Sequence, residues 1–458
     1  MSKRAYILTS ECHIIPRPEA DNTSSIAYFP LSSIVFEINN AAADILRRMK
    51  ENPFSPRNKD ERMFCEHLVK AGLVNGKTDV LPDPARYTTP RPTRTMLLLS
   101  FRCNLKCLYC YGNSETTGEM MTPEIARAAV DEIIRNAKTY GSSLIDVGFH
   151  GGGEPTMNWE VLTDVIEYGK ERSQHSGLRF LTSICTNGIM PEEHVRYLAS
   201  NINNITISID GPPEIQNLQR PRYDGGQSFD RVAATIDILD DMKKPYVFRL
   251  TATEHSEGTL ADVFTFLAQR FHPRTICIEP LFVCGRCITS NCNPPKKETF
   301  INDLSKIMER ASRLNTGIQY SGGRLYYLDT RFCGAAGANF FITPTGDVTS
   351  CVEVSRREDP RSDIFMYGEY SPETKSFHFD IPKFRRLTEF RVQEFSSCSD
   401  CFARWHCSGD CLAKSPDFSH IHSVRNEYRC TINKSITRLQ LIRELKKPYI
   451  NAPPGRRT

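Results

Sequence analysis

Cys103-Asn104-Leu105-Lys106-Cys107-Leu108-Tyr109-Cys110 follows the apolar run Met96-Leu97-Leu98-Leu99. Its three thiols sit at spacings of four and three, on a loop leaving a predicted strand, so they can close around one metal ion or cluster. They supply three of the four ligands that tetrahedral zinc or a cubane iron–sulfur cluster takes. The spacing alone does not choose between zinc and iron, because short Cys intervals serve both.

Outward from this loop the chain alternates. Strand-like runs at 95–101, 144–150, 178–184, 204–210, 246–253 and 275–279 are separated by helical patterns near 122–139, 158–173, 192–200, 228–242 and 258–270. Strands alternating with helices of that length predict an α/β fold with right-handed crossovers and a parallel sheet. Six such units make a partial (β/α)6 TIM-like barrel, with chemistry at the C-terminal ends of its strands.

Upstream, residues 1–77 read as a small α+β unit. Ile34-Val35-Phe36-Glu37-Ile38 is a β-branched and aromatic run, and Asn39 or Asn40 then caps a helix presenting Ala42, Ile45, Leu46 and Met49 on one face. Pro53 and Pro56 end that helix, and a second carries Phe64, Leu68 and Val69 into Ala71-Gly72-Leu73-Val74. Residues 78–94 hold Pro82, Pro84, Pro90 and Pro92 with little apolar content and read as a semi-rigid linker.

The composition excludes several classes. A hydrophobic fraction of 40% and a charged fraction of 24% describe an ordinary globular protein. A net charge of +4, with no Lys/Arg stripe in residues 1–77, argues against a nucleic-acid partner. No apolar run reaches spanning length, and Met1-Ser2-Lys3-Arg4 leads into no signal-peptide core, so a cytoplasmic protein without membrane contact is expected. Seventeen cysteines in such a chain favour metal or cluster ligation over a disulfide framework.

The octet resembles the CxxxCxΦC signature of the radical S-adenosylmethionine (SAM) superfamily, with Tyr109 at the aromatic position. In that family the fourth iron of a [4Fe–4S] cluster is left open for the amino and carboxylate groups of SAM. The absent fourth Cys is then the functional feature. His150-Gly151-Gly152-Gly153-Glu154-Pro155 resembles the family's GGEP motif, which implies SAM contacts from Gly151, Gly152, Gly153 and Glu154. Tyr109, Ser208, Asp210 and Arg249, near predicted strand ends, complete the SAM contacts that the resemblance implies, and 276–279 stands where members pack the adenine. The segment 210–229, "DGPPEIQNLQRPRYDGGQSF", resembles the peptide-modifying branch.

The C-terminal cysteines are similar to the SPASM arrangement of that branch, which holds two auxiliary [4Fe–4S] clusters. The resemblance assigns Cys398, Cys401, Cys407 and Cys430 to an outer cluster and Cys333, Cys351 and Cys411 to an inner one. Asn339 lies where some relatives have a further Cys, which implies an open iron or a non-Cys ligand on the inner cluster. Cys284, Cys287 and Cys292 read as free or buried thiols, and Cys12, Cys65, Cys185 and Cys277 as small hydrophobes.

The resemblance therefore implies three [4Fe–4S] clusters, SAM, a flavodoxin- or ferredoxin-type reductant and a precursor-peptide substrate. Strand, two helices and a closing "AGLV" look like a PqqD-type winged helix that recognises leader peptides. The expected layout is 1–77 leader recognition, 78–94 linker, 95–320 barrel and 321–458 SPASM. The expected activity is thioether cross-linking of a Cys-containing core peptide by way of a 5′-deoxyadenosyl radical. The alternatives are carbon–carbon cross-linking and sulfatase-maturase-like oxidation. Sulfatase-maturating enzymes place an Asp base directly after the Cys matching Cys351, and Val352 here counts against that reading. A zinc-bound, non-catalytic nucleic-acid-binding protein is the remote alternative.

Overall fold

The computed structural model describes residues 5–17, 24–82, 88–337, 339–415, 417 and 425–447. The first four residues, linker positions 83–87 and the basic tail beyond 447 lie outside the described residues.

The N-terminal unit begins with an antiparallel meander, β1 (His13–Pro16), β2 (Ser24–Phe29) and β3 (Ile34–Asn39). Helices α1 (Asn40–Glu51) and α2 (Lys59–Lys70) follow. Asn39 caps α1, its side-chain oxygen accepting the Ala42 N–H at 2.9 Å. The closing segment bridges back, Val74 pairing with Leu8. Sequence periodicity missed β1 and β2 for a physical reason. Five of the six β2 residues are buried, because one face packs on α1 and the other on the far C-terminal helix. No period-two signal survives burial on both sides.

That second contact docks the unit firmly. Ile15, Ile26 and Tyr28 share a cluster with Leu441. The Glu11 carboxylate accepts hydrogen bonds from Arg404 at 2.6 Å and from the Trp405 indole at 2.8 Å, and the Tyr28 hydroxyl meets the His406 imidazole. Glu11→Ala strands a half-buried guanidinium and the buried indole N–H, so a loss of about 2–3 kcal/mol in unfolding free energy is expected. Denaturant titration of the full chain checks this, and an unchanged midpoint would remove Glu11 from the interface energetics.

Beyond the linker come β4 (Arg94–Leu97), α3 (Pro123–Tyr140), β5 (Leu144–Phe149), α4 (Trp159–His175), β6 (Arg179–Thr186), α5 (Glu192–Asn201) and β7 (Asn204–Ser208). The series continues through α6 (Pro213–Gln219), α7 (Phe229–Asp241), β8 (Tyr246–Ala252), α8 (Leu260–Arg270) and β9 (Thr275–Pro280). Strands β4 to β9 pair in chain order and all in parallel, the expected partial barrel. Helix α3 shows the local logic: Thr122 precedes Pro123 at its first position, and Gly141 closes it at φ 74°, a left-handed turn suited to glycine. Phe149, Phe248, Phe264 and Phe271 are fully buried between sheet and helices, each contributing roughly 1.5–3 kcal/mol relative to exposure.

Two helices, α9 (Cys287–Ser290) and α10 (Lys297–Leu314), lead to β10 (Gly317–Gln319), parallel to β9. The regular strand–helix alternation stops near 333, as the sequence suggests, but the sheet continues. Strand β11 (Phe341–Ile342) pairs in parallel with β4, and β12 (Asp347–Thr349), β13 (Met366–Ser371) and β14 (Ser376–Phe379) extend that edge antiparallel. Strands of two and three residues are too short to show a period. Helices α11 (Ser362–Phe365), α12 (Ile381–Thr388), α13 (Arg404–Cys407) and α14 (Glu427–Leu445) complete the chain. One hydrophobic core runs from Leu97 to Ile436, so the barrel and the Cys-rich region share it, whereas residues 6–74 have a core of their own. No helix among the described residues is long and apolar enough to cross a membrane.

Candidate functional site

The C-terminal ends of β4 to β9 surround a cavity open to solvent. Cys103, Cys107 and Cys110 line it from the loop after β4. That loop is held by its backbone: Lys106 N–H reaches the Pro221 carbonyl at 2.7 Å and Leu108 N–H the Gln219 carbonyl at 2.9 Å. The distinctive segment after β7 is thus the cradle of the cysteine loop. On the other side, Arg286 donates from its guanidinium to the Cys107 carbonyl at 3.1 Å and from its backbone to Cys110 at 2.9 Å, while Ser290 reaches Leu108 at 2.7 Å. Burial pushes the thiols of Cys103 and Cys107 up, the latter to about 12 although Arg220 opposes it. Such thiols stay protonated until a metal displaces the proton.

The glycine run after β5 forms part of the wall. Gly151 and Gly152 sit at φ 90° and 68°, and a Cβ on Gly153 would meet the Arg102 carbonyl oxygen at 2.0 Å. Packing against the cysteine loop therefore demands glycine here, and it leaves bare backbone on the cavity. Glu154 lines the cavity and also locks two loops together, accepting from Thr156 and Thr186 hydroxyls at 2.9 and 2.7 Å and from the Asn187 N–H at 2.7 Å.

Tyr109, Ser208 and Arg249 also face the cavity. Among the described residues Arg249 forms no ion pair within 4.0 Å, and its guanidinium stands near Cys185, Glu279 and Tyr111. Asp210 is placed differently. It is fully buried behind the wall, paired with Arg220 at 2.9 and 3.1 Å, and it accepts from Thr251 N–H at 3.1 Å and from the Tyr109 hydroxyl. It anchors a wall residue rather than lining the wall. In 276–279, Ile276 and Ile278 point into the core and Glu279 into the cavity.

Other wall residues escaped the sequence reading. Cys185 is no core hydrophobe: it lines the cavity 4.0 Å from the Ser208 hydroxyl. Burial alone would raise its pKa, but His150 and Arg249 outweigh burial and hold the thiol below its usual range. Cys277 is likewise half-buried beside Arg249, whereas Cys12 and Cys65 are core residues as expected. Glu353 and Lys414 reach the cavity from the Cys-rich region. The Glu353 Oε2 is buried without a hydrogen-bond partner among the described residues, 4.0 Å from the Arg361 guanidinium, and its Oε1 lies 3.7 Å from the Lys414 ammonium. Alternation along β6 could have flagged Cys185, but nothing local marks Glu353.

The structure gathers the remaining cysteines into two groups. Cys351 feels Cys411 and Cys333, and Cys407 feels Cys430, Cys401 and Cys398, after burial as the main cause raising each thiol. In none of the cysteine sets do three sulfurs all fall within 4.8 Å of one another among the described residues. Asn339 turns its amide to the Ser350 carbonyl at 2.9 Å. Cys284 lines the cavity, Cys287 bonds within its own turn and packs with Cys292 and Leu281 in a small buried cluster, and the three thiols do not converge as one ligand set. Bare glycine backbone, converging thiols and a guanidinium without an ion pair among the described residues fit an iron–sulfur cluster with a zwitterionic cofactor beside it.

Residues 97–267 match the Radical SAM superfamily. The chain is a radical SAM enzyme. The enzyme is 21% identical over 329 residues to a cysteine-type anaerobic sulfatase-maturating enzyme of Clostridium perfringens, covering 68% of this chain and 85% of that one. It is 22% identical over 343 residues to the radical SAM cyclopropyl synthase TigE of Paramaledivibacter caminithermalis, covering 69% and 67%. Among solved structures, native anSMEcpe with bound AdoMet superposes with a TM-score of 0.61 at 18% identity, covering 78% of this chain and all of that one. Streptococcus suis SuiB bound to precursor peptide SuiA superposes with a TM-score of 0.51 at 14% identity, covering 92% and 99%. The enzyme thus has an α/β radical SAM fold with a C-terminal Cys-rich, SPASM-like region, and it is related to peptide- and sulfatase-maturing enzymes.

Proposed function

We propose that the enzyme oxidises a side chain of a peptide substrate, in the manner of a sulfatase-maturating enzyme. The observation that carries this reading is Glu353, whose carboxylate faces the cavity with one oxygen that accepts no hydrogen bond among the described residues and lies 4.0 Å from the Arg361 guanidinium. Val352 occupies the position after Cys351, yet the next residue brings an acid to the same cavity. A structural neighbour solved with AdoMet and the Cp18Cys peptide supports a peptide substrate.

In this reading Cys103, Cys107 and Cys110 hold the cluster that meets SAM. Cys333, Cys351 and Cys411 hold the inner auxiliary cluster, and Cys398, Cys401, Cys407 and Cys430 the outer one. When bound, SAM at its cluster supplies hydrogen-atom abstraction from an unactivated carbon. The chain's own residues orient and protect. Arg249 offers a cation to the cofactor carboxylate, the Gly151–Gly153 backbone offers carbonyls, and Tyr109, fixed by Asp210, closes one wall. Glu353 accepts the proton that oxidation of the substrate side chain releases, with Lys414 3.7 Å from its carboxylate, and the remaining electron would pass to the inner auxiliary cluster.

Thioether cross-linking is the second reading. Its observation is Asn339, whose amide is committed to Ser350 and so leaves the inner set at three thiols. The N-terminal sheet would bind a leader by strand addition, and a flavodoxin- or ferredoxin-type protein would supply electrons.

Glu353→Gln tests the main reading. With Cys-containing peptides, including any short reading frame beside the gene, oxidised product is expected to fall roughly 10²–10⁴-fold. Formation of 5′-deoxyadenosine should stay within about twofold, because the residue acts after hydrogen abstraction. Equal product from the variant and the wild type would remove Glu353 from the reaction. Product that retains sulfur but resists thiol alkylation would establish the thioether instead.

A further inference from the structure

Away from the cysteine sets, the Cys292 thiol, the His255 imidazole and the Glu254 carboxylate each bring a ligand atom within 4.8 Å of the others. They come from two parts of the chain. Glu254 and His255 form the 3₁₀ turn Glu254–Ser256 directly after β8. Cys292 ends the excursion that leaves β9 and carries α9. The two parts are already tied: Glu254 N–H donates to the Asn293 carbonyl at 2.9 Å, and Asn293 N–H returns to Glu254 Oε1 at 2.9 Å. The turn itself is fixed by Thr253, whose hydroxyl accepts the His255 N–H at 3.1 Å. Cys292 is 2% exposed while His255 lies at the surface, so the sulfur is inside and an edge stays open to solvent.

We propose that this trio binds a single zinc ion, with Cys292 thiolate, His255 imidazole and Glu254 carboxylate as ligands and solvent in the fourth position. Sulfur, nitrogen and carboxylate oxygen in one tetrahedron are a donor set that zinc accepts and that hard cations do not. Ligand atoms around zinc stand roughly 3.3–3.8 Å apart, so from within 4.8 Å the trio closes by at most about 1.5 Å, a movement that rotation of the exposed His255 side chain supplies. Burial, with Glu254 beside it, pushes the Cys292 thiol up to about 11, so the incoming cation displaces a proton.

The site has a structural task. The excursion it closes carries Arg286 and Ser290, which grip the carbonyls of Cys107, Cys110 and Leu108. That excursion has little core of its own, with Val283 and Ile288 exposed. Fixing its returning end to β8 holds the clamp on the cysteine loop without touching the reaction cavity.

Full-length enzyme, loaded anaerobically with iron and sulfide, is equilibrated with about micromolar free zinc, desalted and analysed for metals. About one zinc per chain is expected in addition to iron, with a zinc-edge absorption spectrum fitted by one sulfur at about 2.3 Å and the rest nitrogen and oxygen. Cys292→Ser and the surface variant His255→Ala should each lose this zinc with iron content unchanged. Wild-type zinc below about a tenth of an equivalent would overturn the proposal. So would full retention in both variants, or a zinc shell of three or more sulfurs, which would put the metal in a cysteine set.

Discussion

Replacing Cys103, Cys107 and Cys110 together with alanine is expected to abolish SAM cleavage and to lower bound iron by about four atoms per chain, one cubane. The fold should survive the change, because the loop is fixed by backbone bonds from Lys106 to Pro221 and from Leu108 to Gln219 rather than by its thiols. The other cysteine groups lie beyond residue 332 and interact among themselves, so their iron should remain. Counting 5′-deoxyadenosine and iron on the same anaerobic sample checks both parts. Undiminished 5′-deoxyadenosine would refute the role given to these thiols, and loss of all iron would show that the groups are not independent.

The second large effect is expected at Asp210. Its carboxylate is buried with the Arg220 guanidinium in a two-point pair and also holds the Tyr109 hydroxyl. Asp210→Ala leaves a buried cation uncompensated, which typically costs about 3–5 kcal/mol. It also frees Tyr109, and a displacement of that wall by about 1 Å can slow the chemistry on the order of a hundredfold. Unfolding free energy and 5′-deoxyadenosine formation should therefore fall together. The double variant Asp210→Leu with Arg220→Met should recover much of the stability, since neither charge is then stranded. Failure of the pair to show a coupling above about 1 kcal/mol in that cycle would mean that the ion pair does not organise the wall.

For a chain of this kind, the parts legible in the sequence are those whose cause is local. Strands β4 to β9 and the helices between them announced themselves because each has one buried face or a short, fully buried run bounded by turn residues. Cys103, Cys107 and Cys110 were legible because one loop carries all three. The wall of the cavity was less so. Asp210 and Ser208 are two residues apart on the same strand end, yet one is sealed behind the wall with Arg220 and the other faces the cavity.

Sequence alone determined the order of the barrel units, the two cysteine groups and the glycine run after the second strand. Only the tertiary structure decided that Cys185 faces the cavity, that Glu353 and Lys414 reach it from the Cys-rich region, and that β2 is buried on both faces by docking near Trp405. The physical reason is one of range. Periodicity and motif spacing record what a residue needs from its immediate neighbours. The partner that a buried charge or an open carboxylate finds is set by contacts between segments far apart in the chain, as Glu11 is from Arg404.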